Sequence, residues 1–167
     1  MAATEESTAE GNAAVHATAL ALGGVGIMIQ GPSGAGKSRL AFALLEAAGC
    51  KPSSSKGSQT DAATALIGDD YITLDPGPDG YNLLASPAPN LAGLIEVRSI
   101  GILGLPWRAS TVVQLSVEMA PLEDLERLPE TEMIDVHGHA LRHLMVPIGD
   151  LAHQMVLVRT AASLITR

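Results

Sequence analysis

Apolar runs separated by glycine-rich turns dominate the first third of the chain. The segments 15–22 and 25–30 are almost wholly apolar and flank Gly23-Gly24, which predicts two strands joined by a tight turn. Residues 37–48 are rich in helix formers and place their leucines on one face, which predicts a helix that ends at Gly49. This part of the chain therefore predicts a strand, a strand and then a helix.

The remaining pattern predicts more strands than helices. Strand-like runs occur at 65–67, 94–98, 100–105 and 111–117, and a hairpin is expected over 71–84 with its turn at 76–80. Residues 121–133 are expected to be irregular, 143–147 and 154–158 are short apolar runs, and 159–167 are a candidate helix. The sequence thus predicts an α/β fold with a mixed β-sheet.

Length and local composition predict one domain with a tail. The 167 residues suffice for a single hydrophobic core. Residues 1–14 are small and polar and are expected to form a flexible N-terminal tail, which leaves 15–167 as the domain. The Ser-rich segment 51–63 has few apolar residues and predicts a mobile loop insertion.

Composition excludes several functional classes. Aromatic residues make up 2% of the chain and the net charge is −8, so base stacking and phosphate neutralisation are disfavoured and no nucleic-acid partner is expected. The single cysteine, Cys50, excludes an internal disulfide and a cysteine zinc cluster. The longest apolar run, 17–29, is too short to span a bilayer, and an acidic N-terminus does not resemble a signal peptide. We therefore expect a soluble, cytoplasmic protein without a membrane partner.

The strongest chemical signal is an octapeptide that matches G-x-x-x-x-G-K-[ST] at every fixed position. It consists of Gly31, Pro32, Ser33, Gly34, Ala35, Gly36, Lys37 and Ser38. Glycines allow backbone N–H groups to point at phosphate oxygens, and the helix that follows adds its N-terminal dipole. Lys37 is expected to reach β- and γ-phosphates, and the Ser38 hydroxyl is expected to bind Mg²⁺.

A pair of carboxylates follows the next predicted strand. Asp69 and Asp70 come directly after 65–67, and a strand end is where phosphate-loop enzymes place a metal ligand or a general base. Because side chains alternate along a strand, the two carboxylates are expected to point in roughly opposite directions. One then faces a metal and the other an acceptor hydroxyl; a pair that caps a turn is the alternative.

Four features together resemble the catalytic domain of HPr kinase/phosphorylase, a bacterial enzyme that acts on a serine of the phosphocarrier protein HPr. His16 stands fifteen residues before Gly31, where that family also has a histidine. The octapeptide resembles the family's G-D-S-G-x-G-K-S, and residues 66–70 resemble its L-[IV]-A-D-D. Residues 94–102 are similar to the signature L-E-[IV]-R-G-[LV]-G-I, which phosphate-loop proteins in general lack.

This resemblance implies a phosphate-loop kinase domain of the HPr kinase and PEP carboxykinase-like fold. It implies an ATP- and Mg²⁺-dependent protein serine kinase that phosphorylates HPr and assembles as a homo-oligomer, a hexamer. Full-length members of the family also carry an N-terminal regulatory domain, which this sequence does not contain. In this respect the sequence resembles the short members found in alphaproteobacteria. A nucleotide-binding sensor with little turnover and a small-molecule kinase are the alternatives, and the signature around Glu96 argues against the second.

The resemblance also implies roles for single residues. Lys37 binds phosphate, and the Asp69-Asp70 pair supplies the carboxylate that takes the proton of the acceptor serine. His16 lies beside the catalytic aspartate or beside the phosphates. Glu96 joins Ser38 as a ligand of Mg²⁺, and Arg98 stabilises or orients charge. From the residues alone, Glu96 and Arg98 share one face of a strand, with a surface ion pair as the alternative. For His16 alone, a satisfied core histidine is the alternative.

Two late segments complete the chemical inventory. The family motif P-G-R-N-L-A appears here as residues 147–152 without its arginine, so kinase activity is expected to exceed phosphorylase activity. The acidic Asp150 at that place is expected to repel phosphate, with Arg142 or Arg159 as candidate substitutes.

A histidine pattern lies just before that motif. His137, His139 and His143 form H-x-H-x-x-x-H, and imidazoles at helical spacing can share a transition metal. Gly138 and the strand-like flanks disfavour a helix, so a polar surface or a subunit contact is the favoured interpretation.

Overall fold

The computed structural model describes residues 14–130 and 132–166, so nearly all of the predicted N-terminal tail lies outside the described residues. The strands are β1 Ala14–Val15, β2 Thr18–Leu22, β3 Val25–Gln30, β4 Ala65–Gly68, β5 Ile72–Pro76, β6 Leu83–Pro87, β7 Leu94–Val97, β8 Gly101–Gly104, β9 Thr111–Ala120, β10 Met133–Val136 and β11 His139–Pro147. The helices are α1 Lys37–Ala47 and α2 Leu151–Ile165, with a single 3-10 turn at Leu122–Asp124.

One large mixed sheet organises the fold. Nine strands form it in the order β1-β5-β6-β9-β3-β2-β4, with β11 added beside β9 and β10 beside β11. The central strand β9 runs parallel to both β3 and β11, and its first two residues pair antiparallel with β6. The α/β fold with a mixed sheet predicted from the sequence is therefore confirmed.

The predicted hairpins are present in this sheet. Strands β2 and β3 pair antiparallel across Gly23-Gly24, whose φ angles of 58° and 87° lie in the left-handed region that favours glycine. Strands β5 and β6 form the second hairpin, and the Asp79 carboxylate in its turn accepts hydrogen bonds from the backbone N–H groups of Tyr81 and Asn82. The N–H groups of Asn82 and Tyr81 lower the pKa of the Asp79 carboxyl below its usual value.

Aliphatic side chains fill the space on both faces of the sheet. The period of two along β3 places Ile27 and Ile29 against the helices and Met28 against the opposite face. Ile72 of β5 and Leu83 of β6 pack with Met28, so the far end of the sheet curls over that face. The phosphate-loop strand is thereby buried on both sides and holds its C-terminal end in a fixed position.

The short strands β7 and β8 form a separate two-stranded ribbon that anchors the segment 51–63. The segment is irregular, as predicted, but Ser53 exchanges two backbone hydrogen bonds with Gly104 at the end of β8. The indole N–H of Trp107 donates to the Gly57 carbonyl at 3.0 Å. These bonds restrict the mobility that the Ser-rich composition predicts.

The C-terminal part differs from the predicted boundaries. The helix expected over 159–167 begins at Leu151 and includes the apolar run 154–158, whereas 143–147 belongs to β11. Gln154, Val158 and Ala162 recur every four residues and form the buried side of α2, so packing extends the helix beyond its local signal. Neither helix in the described residues is long and apolar enough to cross a membrane.

We expect Gly26→Ala to reduce the free energy of unfolding by about 1–3 kcal/mol, because a Cβ at Gly26 of β3 would overlap the carbonyl oxygen of Val112. The close approach accompanies a register shift between β3 and β9. The matched control is Gly23→Asn, since Gly23 has open space around its Cβ position and Asn tolerates the left-handed region. Urea denaturation measures both variants, and a Gly26→Ala protein as stable as the parent would contradict the prediction.

Candidate functional site

A cleft of about 550 Å³ opens where β3 passes into α1. Its walls come from the phosphate loop, the turn after β4, the end of β7 and the segment between β11 and α2. The catalytic and metal-binding residues predicted from the sequence all line this cleft, namely His16, Lys37, Ser38, Asp69, Asp70, Glu96 and Arg98. The fold thus brings together side chains that lie far apart in the sequence.

The phosphate loop, residues 31–38, forms an open cradle at the start of α1. Gly34 and Gly36 have φ angles of 79° and 99°, and a Cβ at Gly34 would meet no atom within 4 Å. The Lys37 ammonium is buried and donates to the carbonyl oxygens of Gly31 and Pro32, at 3.1 and 3.2 Å. A positive charge and the first amides of α1 therefore face the same space, which suits a phosphate group.

Asp69 is the most heavily bonded side chain of the cleft. Its Oδ1 accepts hydrogen bonds from the hydroxyls of Ser38 at 2.7 Å and Thr18 at 2.8 Å. Its Oδ2 accepts from the backbone N–H of Glu96 at 3.2 Å. The residue is only 6% exposed, so these three donors replace the water that a carboxylate otherwise requires.

Asp70 has different partners from Asp69, and the expected opposite orientation of the two carboxylates stays a prediction. Its φ of 66° turns the backbone at the end of β4, and its carboxylate is exposed. Oδ1 lies 2.9 Å from Nε2 of His16, and the His16 ring lies 5.5 Å from that of Tyr71. The pair thus consists of one buried carboxylate beside the phosphate loop and one accessible carboxylate beside a histidine.

Glu96 and Arg98 bring the end of β7 and the turn after it to the wall of the cleft. Glu96 is the third residue of β7 and its side chain is exposed, while Arg98 lies in the turn just beyond the strand. The predicted strand over 94–98 is therefore one residue too long, although both side chains reach the cleft. They form no ion pair with each other in the residues that the structure describes, so the surface ion pair is not observed.

The donor set of the cleft fits Mg²⁺ and a polyphosphate. Ser38, Asp69 and Glu96 offer oxygen atoms, the ligands that Mg²⁺ prefers. Within residues 14–130 and 132–166, no group of three or more His, Cys, Asp or Glu side chains is arranged to hold a metal ion. Mg²⁺ keeps several waters and takes one or two carboxylates together with substrate phosphates, and Asp69 and Glu96 are two carboxylates of the cleft lining.

The late segment contributes to the cleft in a different way from that expected. Ile148 and Gly149 line the cleft, but the Asp150 carboxylate caps α2 by accepting the backbone N–H of His153 at 3.0 Å. The Asp150 carboxylate therefore serves as the cap of α2 and is not part of the cleft lining, and the expected repulsion of phosphate by its charge stays a prediction.

The candidate substitute arginines do not reach the site either. Arg142 lies on β11, and Arg159 lines a separate cavity of about 320 Å³ between α1 and α2. In the described chain, the arginines that line the cleft are Arg98 and Arg39 of α1. The sequence motif does not predict Arg39, because the motif ends at Ser38 and leaves the next position unspecified.

The three histidines do not form the helical pattern that a shared metal requires. His137 has a φ of 52° in the turn between β10 and β11, while His139 and His143 lie on β11. Nε2 of His143 is 3.3 Å from Oε2 of Glu118, and Nδ1 of His139 is 3.0 Å from the His137 carbonyl oxygen. The transition-metal hypothesis is therefore wrong for the described residues, because strand geometry separates the rings.

Comparisons with known proteins show which proteins this chain is similar to. No protein-family profile matches the chain. Curated proteins named HPr kinase/phosphorylase from Streptococcus thermophilus and Streptococcus pneumoniae are 27% and 28% identical over 159 residues. The alignment covers 89% of this chain and 46% of each relative, so the chain spans less than half the length of the curated relatives it matches.

A solved structure shares the fold. The Hpr(Ser) kinase/phosphatase from Coxiella burnetii superposes with a TM-score of 0.72 and is 22% identical. The match covers 93% of this chain and 99% of that chain. The resemblance that the four motifs indicate is therefore confirmed, and the fold is that of the solved HPr kinase structure.

Removal of the Asp150 cap tests the new assignment of that residue. We expect Asp150→Ala to reduce the free energy of unfolding by about 1 kcal/mol, because α2 loses a hydrogen bond to its first turn. Affinity for Mg²⁺·ADP, measured by calorimetry, should not change, since the carboxylate does not line the cleft. Asp150→Ser is the control, because serine also caps helices. Altered nucleotide affinity in Asp150→Ala with parental stability would contradict the assignment.

Proposed function

We propose that this chain is an ATP- and Mg²⁺-dependent protein kinase that transfers the γ-phosphoryl group of ATP to a serine of HPr. One observation carries the proposal: the hydrogen-bonded pairs Ser38–Asp69 and His16–Asp70 line the same cleft as the phosphate loop. A site of this kind holds a nucleotide on one side and a general base on the other. The names of the relatives support HPr as the acceptor.

The phosphate loop positions the nucleotide. Its amides and the N-terminus of α1 bind phosphate oxygens, and Lys37 adds a positive charge beside the β- and γ-phosphates. Mg²⁺, when bound, neutralises the charge that develops on the phosphate oxygens, and Ser38 and Glu96 are the side chains that would hold it. Asp69 accepts the hydrogen of the Ser38 hydroxyl, so the lone pairs of that oxygen point into the cleft.

Asp70 is the base for the acceptor serine. It is the accessible carboxylate of the pair, so a hydroxyl of a protein substrate can reach it. His16 holds the orientation of that carboxylate by a hydrogen bond of 2.9 Å and offers a second site for the proton. Arg98 and Arg39, which both line the cleft, stabilise the charge on the transferred group.

The forward reaction exceeds the reverse reaction in this proposal. Removal of phosphate from phosphoserine requires inorganic phosphate that is held and oriented as a nucleophile, a task that suits a bidentate guanidinium. The segment 147–152 lacks the arginine of the family motif and contributes Ile148 and Gly149 to the cleft instead. Pyrophosphate release from phosphorylated HPr is therefore slow compared with transfer from ATP.

The resemblance also supports a cytoplasmic homo-oligomer, a hexamer, as the assembled form. Light scattering on the purified protein measures the mass of the assembly directly.

Incubation with purified HPr, ATP and Mg²⁺ tests the activity. Mass spectrometry should show the addition of a single phosphate to HPr, and an HPr variant with alanine at the acceptor serine should remain unmodified. Lys37→Ala should abolish transfer and weaken ATP binding with the fold intact, because it removes the fixed charge at the phosphates. Lys51→Ala is the control, since Lys51 is exposed outside the cleft. Unmodified HPr with the parent protein would contradict the proposal.

Substitution of the two aspartates separates their roles. We expect Asp70→Asn to bind Mg²⁺·ADP normally while transfer falls by about 10²-fold or more, because a base is lost. Asp69→Asn should instead weaken Mg²⁺-dependent nucleotide binding, since its carboxylate orients Ser38. Asp75→Asn on β5, outside the cleft, is the control. Parental turnover in both Asp70→Asn and Asp69→Asn would reduce the pair to a structural turn.

A further inference from the structure

A buried threonine supports the metal side of the cleft from inside the sheet. Thr18 is the first residue of β2 and is 0% exposed, and its hydroxyl donates to Oδ1 of Asp69 at 2.8 Å. A β-branched side chain in a strand has few allowed rotamers, so this donor has a fixed direction. The sequence gives no sign of this contact, because Thr is an ordinary residue in a buried strand.

The Thr18 hydroxyl and the Ser38 hydroxyl donate to the same oxygen of Asp69. The backbone N–H of Glu96 holds the other oxygen, so the plane of the carboxylate is fixed from both sides. An Asp side chain otherwise rotates broadly about its terminal torsion. With that rotation blocked, the Ser38 hydroxyl continues to donate to Asp69, and the lone pairs of its oxygen remain available to a cation.

We propose that Thr18 is a positioning residue, which acts through Asp69 to set the orientation of Ser38 and thereby the affinity of the cleft for Mg²⁺·nucleotide. The inference rests on the proposed use of this cleft for a magnesium nucleotide. Thr18 itself does not line the cleft, so its effect must pass through the shared carboxylate. Loss of its hydroxyl leaves a buried carboxylate short of one donor and able to turn away from Ser38.

Calorimetric titration with ADP, with and without Mg²⁺, tests the proposal in the full chain. Thr18→Val replaces the hydroxyl with a methyl group of similar size, and we expect it to weaken Mg²⁺·ADP binding about tenfold while binding of ADP without Mg²⁺ stays within about twofold. Thr18→Ser keeps the hydroxyl and should therefore retain the parental affinity for Mg²⁺·ADP. Thr18→Ala is a second variant without a hydroxyl and should show the same loss as Thr18→Val.

A double-mutant cycle distinguishes positioning from general support of the fold. In a Ser38→Ala background the orientation of Ser38 no longer matters, so Thr18→Val should change Mg²⁺·ADP affinity less than twofold. Three results would each overturn the proposal: parental Mg²⁺·ADP affinity in Thr18→Val, an equal loss with and without Mg²⁺, or an undiminished loss in the Ser38→Ala background.

These measurements need no HPr and no turnover. Failure to phosphorylate HPr would contradict the proposed function but would not affect the role assigned to Thr18. Parental Mg²⁺·ADP affinity in Thr18→Val would contradict the positioning role of Thr18 but would not affect the kinase proposal.

Discussion

The buried Asp69 carboxylate is the constraint on which the site depends. Its donors come from β2, α1 and β7, at sequence separations of 51, 31 and 27 residues. A buried carboxylate without these donors would be costly, so the three elements must dock in one arrangement for the charge to be accommodated. That arrangement brings the phosphate loop, the exposed Asp70 and the end of β7 to one cleft.

The phosphate loop prepares the other half of the site in the same way. Lys37 already donates two hydrogen bonds to the loop carbonyls, so its long side chain is ordered before any phosphate binds. The aliphatic packing on both faces of β3 fixes the strand that carries the loop. The polyphosphate binding proposed for this loop would therefore require little rearrangement of its residues.

Sequence patterns predict the parts of this protein that depend on local chemistry. The glycine turn at Gly23-Gly24, the phosphate loop and the strand before Asp69 carry their own signals, and strand ends that meet at one edge explain why the site residues gather. The rest depends on distant contacts. Packing between elements decides that Asp150 caps α2, where that helix begins, and that Thr18 contacts Asp69. The periodicity of the sequence does not encode such contacts.

The left-handed backbone at Asp70 restricts which residues evolution can place at that position. Of the side chains that carry a carboxylate, aspartate tolerates a φ of 66° better than glutamate, because its short side chain bonds locally in that conformation. For the base proposed at this position, a change in strength could not readily come from a longer side chain. Such a change would instead have to come from His16, which bonds the carboxylate, and from Tyr71, whose ring lies 5.5 Å from that of His16.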